Sequence, residues 1–61
     1  MQYQAEIYVY DSITDSVSLA ATTRYARTMR EAYNDALEEQ KFYTRLGMLI
    51  TRVDVIAINE P

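Results

Sequence analysis

The sequence predicts a small α+β domain of the ββαβ type, a three-stranded antiparallel sheet with one helix packed on one face. Three observations predict this class. Residues 2–10 and 48–58 alternate in the manner of strands, a capping box opens a helix at Thr28, and a short polar loop follows the first strand. At 61 residues the chain is long enough for one domain, and we treat residues 1–61 as that domain.

The first two strands form a predicted hairpin. Strand one covers residues 2–10, with Gln4, Glu6, Tyr8 and Tyr10 on the side opposite Tyr3, Ala5, Ile7 and Val9. The loop DSITDS at residues 11–16 suits a hairpin, because Asp and Ser side chains hydrogen-bond their own backbone. Strand two then runs from about Val17 to Tyr25, and its inner face is predicted to hold Val17, Leu19, Ala21, Thr23 and Tyr25.

The helix has clear start and stop signals. Thr28 and Glu31 form the capping box, and Gly47 ends the helix in the left-handed conformation that a side chain would disfavour. Acidic residues crowd the first half and basic residues the last turns, which complements the helix dipole. The predicted inward stripe is Met29, Ala32, Tyr33, Ala36, Leu37, Gln40, Tyr43 and Thr44.

Strand three runs from about Met48 to Ile58, and we expect it to pair antiparallel with strand one. A parallel pairing beside strand two is the alternative. The residues predicted to lie beneath the helix are Leu49, Val53, Val55 and Ala57. The uncovered face is then predicted to hold Ile50, Arg52, Asp54, Ile56 and Ile58 together with Glu6, Tyr8, Tyr10 and Arg24.

This uncovered face is the candidate binding surface. Half-buried antiparallel sheets normally carry polar residues on the solvent side, whereas isoleucine and tyrosine stand here among charges of both signs. Such a composition is typical of an interaction patch. The alternative is that Arg52 and Asp54 only form cross-strand pairs with Glu6 and Arg24. The candidate partner-binding residues are Arg52, Asp54, Asp11, Tyr8, Tyr10, Ile56, Arg24 and, as a separate aromatic on the helix, Phe42.

Composition argues against several function classes. The chain has no histidine or cysteine and one lysine, so we predict no enzymatic activity, no metal site and no cofactor. Nine acidic and six basic residues give a net charge of −3, which argues against direct nucleic-acid binding. No apolar run suggests a membrane span or a signal peptide, and the cytoplasm is the expected location. A core this small favours self-association or a larger partner.

The run Arg27-Thr28-Met29-Arg30-Glu31-Ala32, followed by Tyr43, Gly47 and Thr51-Arg52-Val53, resembles a known family. It is similar to the small host RNA-polymerase inhibitors of short-tailed enterobacterial phages, ββαβ domains with an E-T-L-x-E-A helix start and a T-R-V third strand. This resemblance implies binding to the jaw of the polymerase's large subunit and inhibition of open-complex formation. Arg52 would hold the place of the family's first arginine on the last strand, and Asp11 that of an acidic residue near the end of strand one.

The chain also departs from the family. Asp54 stands where the family has a second arginine, the helix is longer, and the family's tryptophan is missing. We therefore predict a phage-type protein-binding module that inhibits a host enzyme in the bacterial cytoplasm, with RNA polymerase as the first candidate. Two alternatives stay open. One is a structural homodimer formed through the uncovered face, and the other is an acidic DNA mimic that blocks a nuclease or a CRISPR effector.

Overall fold

The computed structural model describes residues 1–58, which form β1 (Gln2–Asp11), β2 (Ser16–Thr22), α1 (Met29–Arg45) and β3 (Leu49–Ile58). The three strands make one sheet in the order β2-β1-β3, and both pairings are antiparallel. The helix packs against β1 and β3. The predicted ββαβ class is confirmed, and so is the antiparallel pairing of the third strand with the first.

Both ends of the helix follow the sequence signals. Thr28 is the N-cap, and its Oγ1 accepts the backbone N–H of Glu31 at 3.1 Å. The Glu31 carboxylate reaches back to the N–H of Arg27 at 3.4 Å, one residue before the cap. At the other end Gly47 has φ +82°, and the N–H groups of Gly47 and Met48 donate to the carbonyls of Thr44 and Tyr43. These two bonds form a Schellman motif.

The core lies between α1 and the central strand. Four of its five buried residues are alanines, Ala5, Ala26, Ala32 and Ala36, which lets the helix backbone come close to the sheet, and Ile7 is the fifth. Tyr3, Ile50, Val53 and Val55 pack around them. The contact stripe of the helix is narrower than predicted, because Met29, Tyr33 and Leu37 are exposed along one flank.

The chain after β2 stays beside β1 without continuing as a regular strand. Strand two was predicted to reach Tyr25 but ends at Thr22. Thr23 is buried, and its Oγ1 accepts the N–H of Ala5 at 2.9 Å in place of a backbone carbonyl. Tyr3 and Ala26 then exchange two backbone hydrogen bonds of 2.8 Å. This side-chain bond gives the chain room to leave the sheet and reach the helix start.

Two β-bulges change which residues of β2 and β3 share a face, relative to the prediction. The register of β1 shifts against β2 between Ile7 and Tyr8, and against β3 between Tyr8 and Val9, so Ala20 and Thr51 are the extra residues. Because a bulge places two residues opposite one, the alternation inverts beyond it. Ala21, Val53, Val55 and Ala57 share the face of the β1 core residues, as predicted, but Val17, Leu19 and Leu49 lie on the opposite face. The prediction was also wrong for Ile50, which pairs with Val9 and packs on the core.

Candidate protein-binding face

The face of the sheet opposite α1 is the candidate site, and we call it the open face. Residues that pair across antiparallel strands share a face, so the register defines its members. From β1 these are Gln2, Gln4, Glu6, Tyr8 and Tyr10, from β2 Val17, Leu19 and Thr22, and from β3 Leu49, Arg52, Asp54, Ile56 and Ile58. No other element among residues 1–58 packs over them, because the single helix lies on the other side.

The hairpin end of the open face is apolar. Tyr10 lies between Val17 and Leu49, and Leu19 follows in the next row beside Tyr8. Leu49 is 63 % exposed and Leu19 48 % exposed, so these aliphatic side chains form a patch in contact with solvent. A contiguous apolar patch of this kind, bordered by charge, is a feature of protein interfaces.

Tyr10 is oriented by the hairpin turn. Its hydroxyl donates to Oδ1 of Asp15 at 2.6 Å, and this hydrogen bond to the carboxylate raises the pKa of the phenol. Asp15 itself has φ +52°, a left-handed conformation that Asp tolerates better than most residues. The turn therefore holds the tyrosine ring across the apolar end of the open face.

Arg52 lies midway along the open face, on the edge strand β3, and is held on two sides. Its guanidinium carbon lies 4.1 Å from the centroid of the Tyr8 ring, in a cation–π arrangement. Its Nε donates to Oδ2 of Asp54 at 3.0 Å. Tyr8, and after it Asp54, raise the pKa of the Arg52 guanidinium. The Arg52 side chain is 57 % exposed, so it is an oriented cation whose other N–H groups can donate to another molecule.

Glu6 and Asp54 form an unfavourable pair beside this arginine. They are direct cross-strand partners on the open face, and like charges placed opposite each other are destabilising. The Glu6 carboxylate accepts the Tyr8 hydroxyl at 3.1 Å, so Tyr8 contacts both the acid and the arginine. The predicted alternative, in which Glu6 and Arg24 pair with Arg52 and Asp54, is not what forms.

The far end of the open face is mixed. Ile56 lies opposite Gln4, and Ile58 lies opposite Gln2, all four being half-buried. Ile56 is therefore on the predicted face, together with Tyr8, Tyr10, Arg52 and Asp54. The structure brings these five predicted residues onto one surface.

Three predicted residues lie elsewhere. Arg24 is not on the open face, because its Nε donates to Asp35 of the helix at 3.1 Å, and this bond raises the pKa of Arg24. Asp11 is the last residue of β1, on the side opposite Tyr10, and its Oδ1 accepts the N–H of Ile13 in the turn at 2.8 Å. Phe42 is exposed on the helix and makes an edge-to-face contact with Tyr43 at 5.3 Å between centroids. The predicted placement of Arg24 beside Tyr8 and Tyr10 is wrong.

Sequence reasoning missed Val17, Leu19 and Leu49 as members of the site. A signal existed for the first two. A hairpin whose strands end at Tyr10 and resume at Val17 closes on that pair, and paired residues share a face. For Leu49 the sequence carries no comparable signal, because nothing in LITRV identifies Thr51 as a bulge residue.

Comparisons with known proteins found no match: no family model matches the chain, and neither does a curated protein or a solved structure. Within residues 1–58, α1 falls short of the length and apolar character needed to cross a bilayer. The same residues contain no group of three or more acidic, histidine or cysteine side chains arranged to hold a metal ion.

Proposed function

We propose that this protein is a non-enzymatic binding module that inhibits a host enzyme by docking its open face on it, in the bacterial cytoplasm. The observation that carries the proposal is the composition of that face. An aliphatic patch made by Val17, Leu19 and Leu49 adjoins an arginine that Tyr8 and Asp54 hold in place. Tyrosine and arginine are the side chains most enriched where binding energy concentrates.

Bacterial RNA polymerase is the first candidate target, on the strength of the resemblance around Thr28-Met-Arg-Glu31 and Thr51-Arg52-Val53. The geometry is compatible with the role that the resemblance implies for Arg52, since this side chain is exposed on the open face, midway along the edge strand β3. Asp54 marks a difference from the family. Its carboxylate neutralises part of the arginine's charge, so the matching surface on the target would be less acidic than the one the family binds.

The acidic DNA mimic is the weaker alternative. A mimic of phosphates needs unpaired negative charge in a row. Two of the four acidic residues of α1 are matched by bases, because Asp35 bonds Arg24 and Glu38 bonds Lys41 at 3.1 Å in each case. The helix therefore offers less negative potential than its sequence suggests.

The test is binding to purified bacterial RNA polymerase, followed by a promoter open-complex assay. We expect the wild-type chain to bind and to inhibit open-complex formation. Arg52→Ala should weaken binding roughly tenfold or more, since losing one side of an interfacial charge pair costs at least that much. Leu19→Lys should weaken it as well, by placing an ammonium group in the apolar patch.

Arg30→Ala is the matched control, because Arg30 is an exposed arginine of the helix and does not belong to the open face. Its dissociation constant should stay within about twofold of the wild-type value. The free energy of unfolding of all three variants should lie within about 0.5 kcal/mol of the wild-type value. Absence of any binding would reject polymerase as the target. Binding that survives both Arg52→Ala and Leu19→Lys would reject the open face.

A further inference from the structure

We infer that the chain pairs with a second copy of itself through the outer edge of β3, giving a six-stranded sheet with both helices on one face. The inference concerns the edge of the sheet and does not depend on the proposed function. In the order β2-β1-β3, β3 is an edge strand of ten residues, LITRVDVIAI, of which seven are aliphatic. A long apolar edge with unpaired backbone groups is a template for another strand.

The charges on β3 are self-complementary about Val53. A two-fold axis normal to the sheet pairs two antiparallel copies about one residue position. With that position at Val53, Arg52 of each copy lies opposite Asp54 of the other, on the open face. Axes through Arg52 or through Asp54 would set like charges opposite each other, which is destabilising. The 3.0 Å bond that joins Arg52 and Asp54 within one strand then becomes part of a four-charge cluster.

The bulge at Thr51 limits the length of the pairing between the two copies of β3. Because Thr51 is the extra residue, regular alternation in β3 begins at Arg52. A regular ladder centred on Val53 would therefore run over residues 52–54 of each copy, at the short end of the usual range of strand lengths. Longer ladders centred further along the strand would lose the pairing of Arg52 with Asp54. The charges therefore select one register.

The helix is positioned to add a second contact. It packs against β1 and β3, so its axis lies near the line between them, about half a strand spacing inside β3. The two-fold axis makes the helices antiparallel and separates their axes by about 10 Å, which is the usual packing distance of two helices.

The flank that would meet the partner helix is the exposed one. Asp35 bonds Arg24, which follows β2, so that side of the helix faces β2. Helical geometry then directs Tyr33 and Leu37 toward β3 and the partner. Both are exposed in the monomer, and the helix end beyond them borders a concavity of about 530 Å³ lined by Leu37, Gln40, Lys41, Thr44 and Arg45. Pairing would cover apolar surface that the single chain leaves in water.

The experiment is sedimentation velocity on the whole chain and its variants over about 1–500 µM, a range that covers micromolar to submillimolar dissociation constants. We expect wild type to dimerise and both R52D and D54R to lose roughly tenfold or more in dimer affinity, because each sets like charges across the axis twice. An equimolar mixture of R52D and D54R should recover a dimer, and so should the double variant R52D/D54R. Recovery by the double variant indicates the register centred on Val53, because registers centred on residue 52 or 54 would still place like charges opposite each other.

Two controls separate this edge from the open face. E38K reverses a charge on the helix away from β3 and should leave the dimer unchanged. L19K alters the open face two strands away from the edge and should also leave it unchanged. A wild-type chain that stays monomeric to 500 µM would overturn the inference. So would a dimer that L19K dissociates, or one that R52D leaves intact.

Failure of this inference and failure of the proposed function are distinguishable, because sedimentation uses no polymerase. The double variant R52D/D54R separates them further. It should keep the dimer while reversing the charges that the open face presents, and so should lose any target that depends on Arg52.

Discussion

The hydroxyl of Thr23 accepts the backbone N–H of Ala5 at 2.9 Å, where a regular strand would offer a carbonyl. Ala5 is fully buried in the core and Thr23 is 2 % exposed, so water cannot replace this bond. The same hydroxyl donates to the carbonyl of Arg24 at 3.1 Å. One side chain therefore closes the gap that the end of β2 leaves beside the central strand.

Thr23→Val should destabilise the domain by about 1–3 kcal/mol, because it keeps the shape of the side chain but leaves the Ala5 N–H without an acceptor. Urea unfolding monitored by circular dichroism measures the change. Thr22→Val is the control, since Thr22 is exposed and should change the free energy of unfolding by no more than about 0.5 kcal/mol. Equal effects for the two variants would contradict the assigned role of Thr23.

Glu6→Gln should stabilise the domain by about 0.2–1 kcal/mol, because it removes the like-charge pair that Glu6 forms with Asp54 across the strands. The new amide oxygen can still accept the Tyr8 hydroxyl. Thermal unfolding at neutral pH and low salt should show the higher midpoint, and added salt should reduce the difference. Glu38→Gln removes an exposed acid that pairs with Lys41 and should not raise the midpoint.

Gly47→Ala should cost about 1–2 kcal/mol, because φ +82° is unfavourable for a residue with a Cβ atom. Apart from the adjoining residues of the chain, nothing lies within 4 Å of the added methyl group, so the cost is one of backbone conformation. Gly47→Asn should recover part of the loss, since Asn tolerates the left-handed region. Chemical denaturation of both variants tests this order, and an alanine variant as stable as wild type would refute it.

Ala36→Leu should destabilise the domain by about 1–3 kcal/mol, because Ala36 is fully buried where the helix meets the sheet and has no space for three more carbons. Asn34→Leu adds a comparable side chain on the exposed side of the same helix and serves as the control. Comparison of their unfolding midpoints measures how close the helix lies to the sheet. A midpoint for Ala36→Leu at or above that of the control would mean that the contact is loose.

The elements of this fold are predictable from local signals, and their faces are only partly so. The helix ends depend on hydrogen bonds and backbone angles of residues close together in the sequence, namely Thr28, Glu31 and Gly47. The sequence therefore reveals these ends directly. The faces of β2 and β3 depend on Ala20 and Thr51, which are extra only in relation to β1. Because a bulge is a property of two strands together, alternation within one strand cannot locate it.

The candidate site was predictable on β1, which has no extra residue, and on the part of β3 that follows its bulge. Arg52, Asp54, Ile56, Tyr8 and Tyr10 were all placed correctly by counting along their own strands. Arg24 was misplaced because strand two was extended past Thr22, and its true position depends on a tertiary contact with Asp35. The pairing of Arg52 with the Tyr8 ring likewise needed the register between β1 and β3.

Both bulges lie level with Tyr8, and because of them the composition of the open face changes along the length of the strands. The aliphatic residues Val17, Leu19 and Leu49 lie near the turn, and the charged residues Glu6, Arg52 and Asp54 lie midway along the strands. At the opposite end, Gln2 and Gln4 lie beside Ile58 and Ile56. A partner that binds to this surface therefore contacts two chemically different ends. Such a partner would bind in one orientation relative to the strands, whereas a sheet of uniform composition would favour neither of the two opposite orientations.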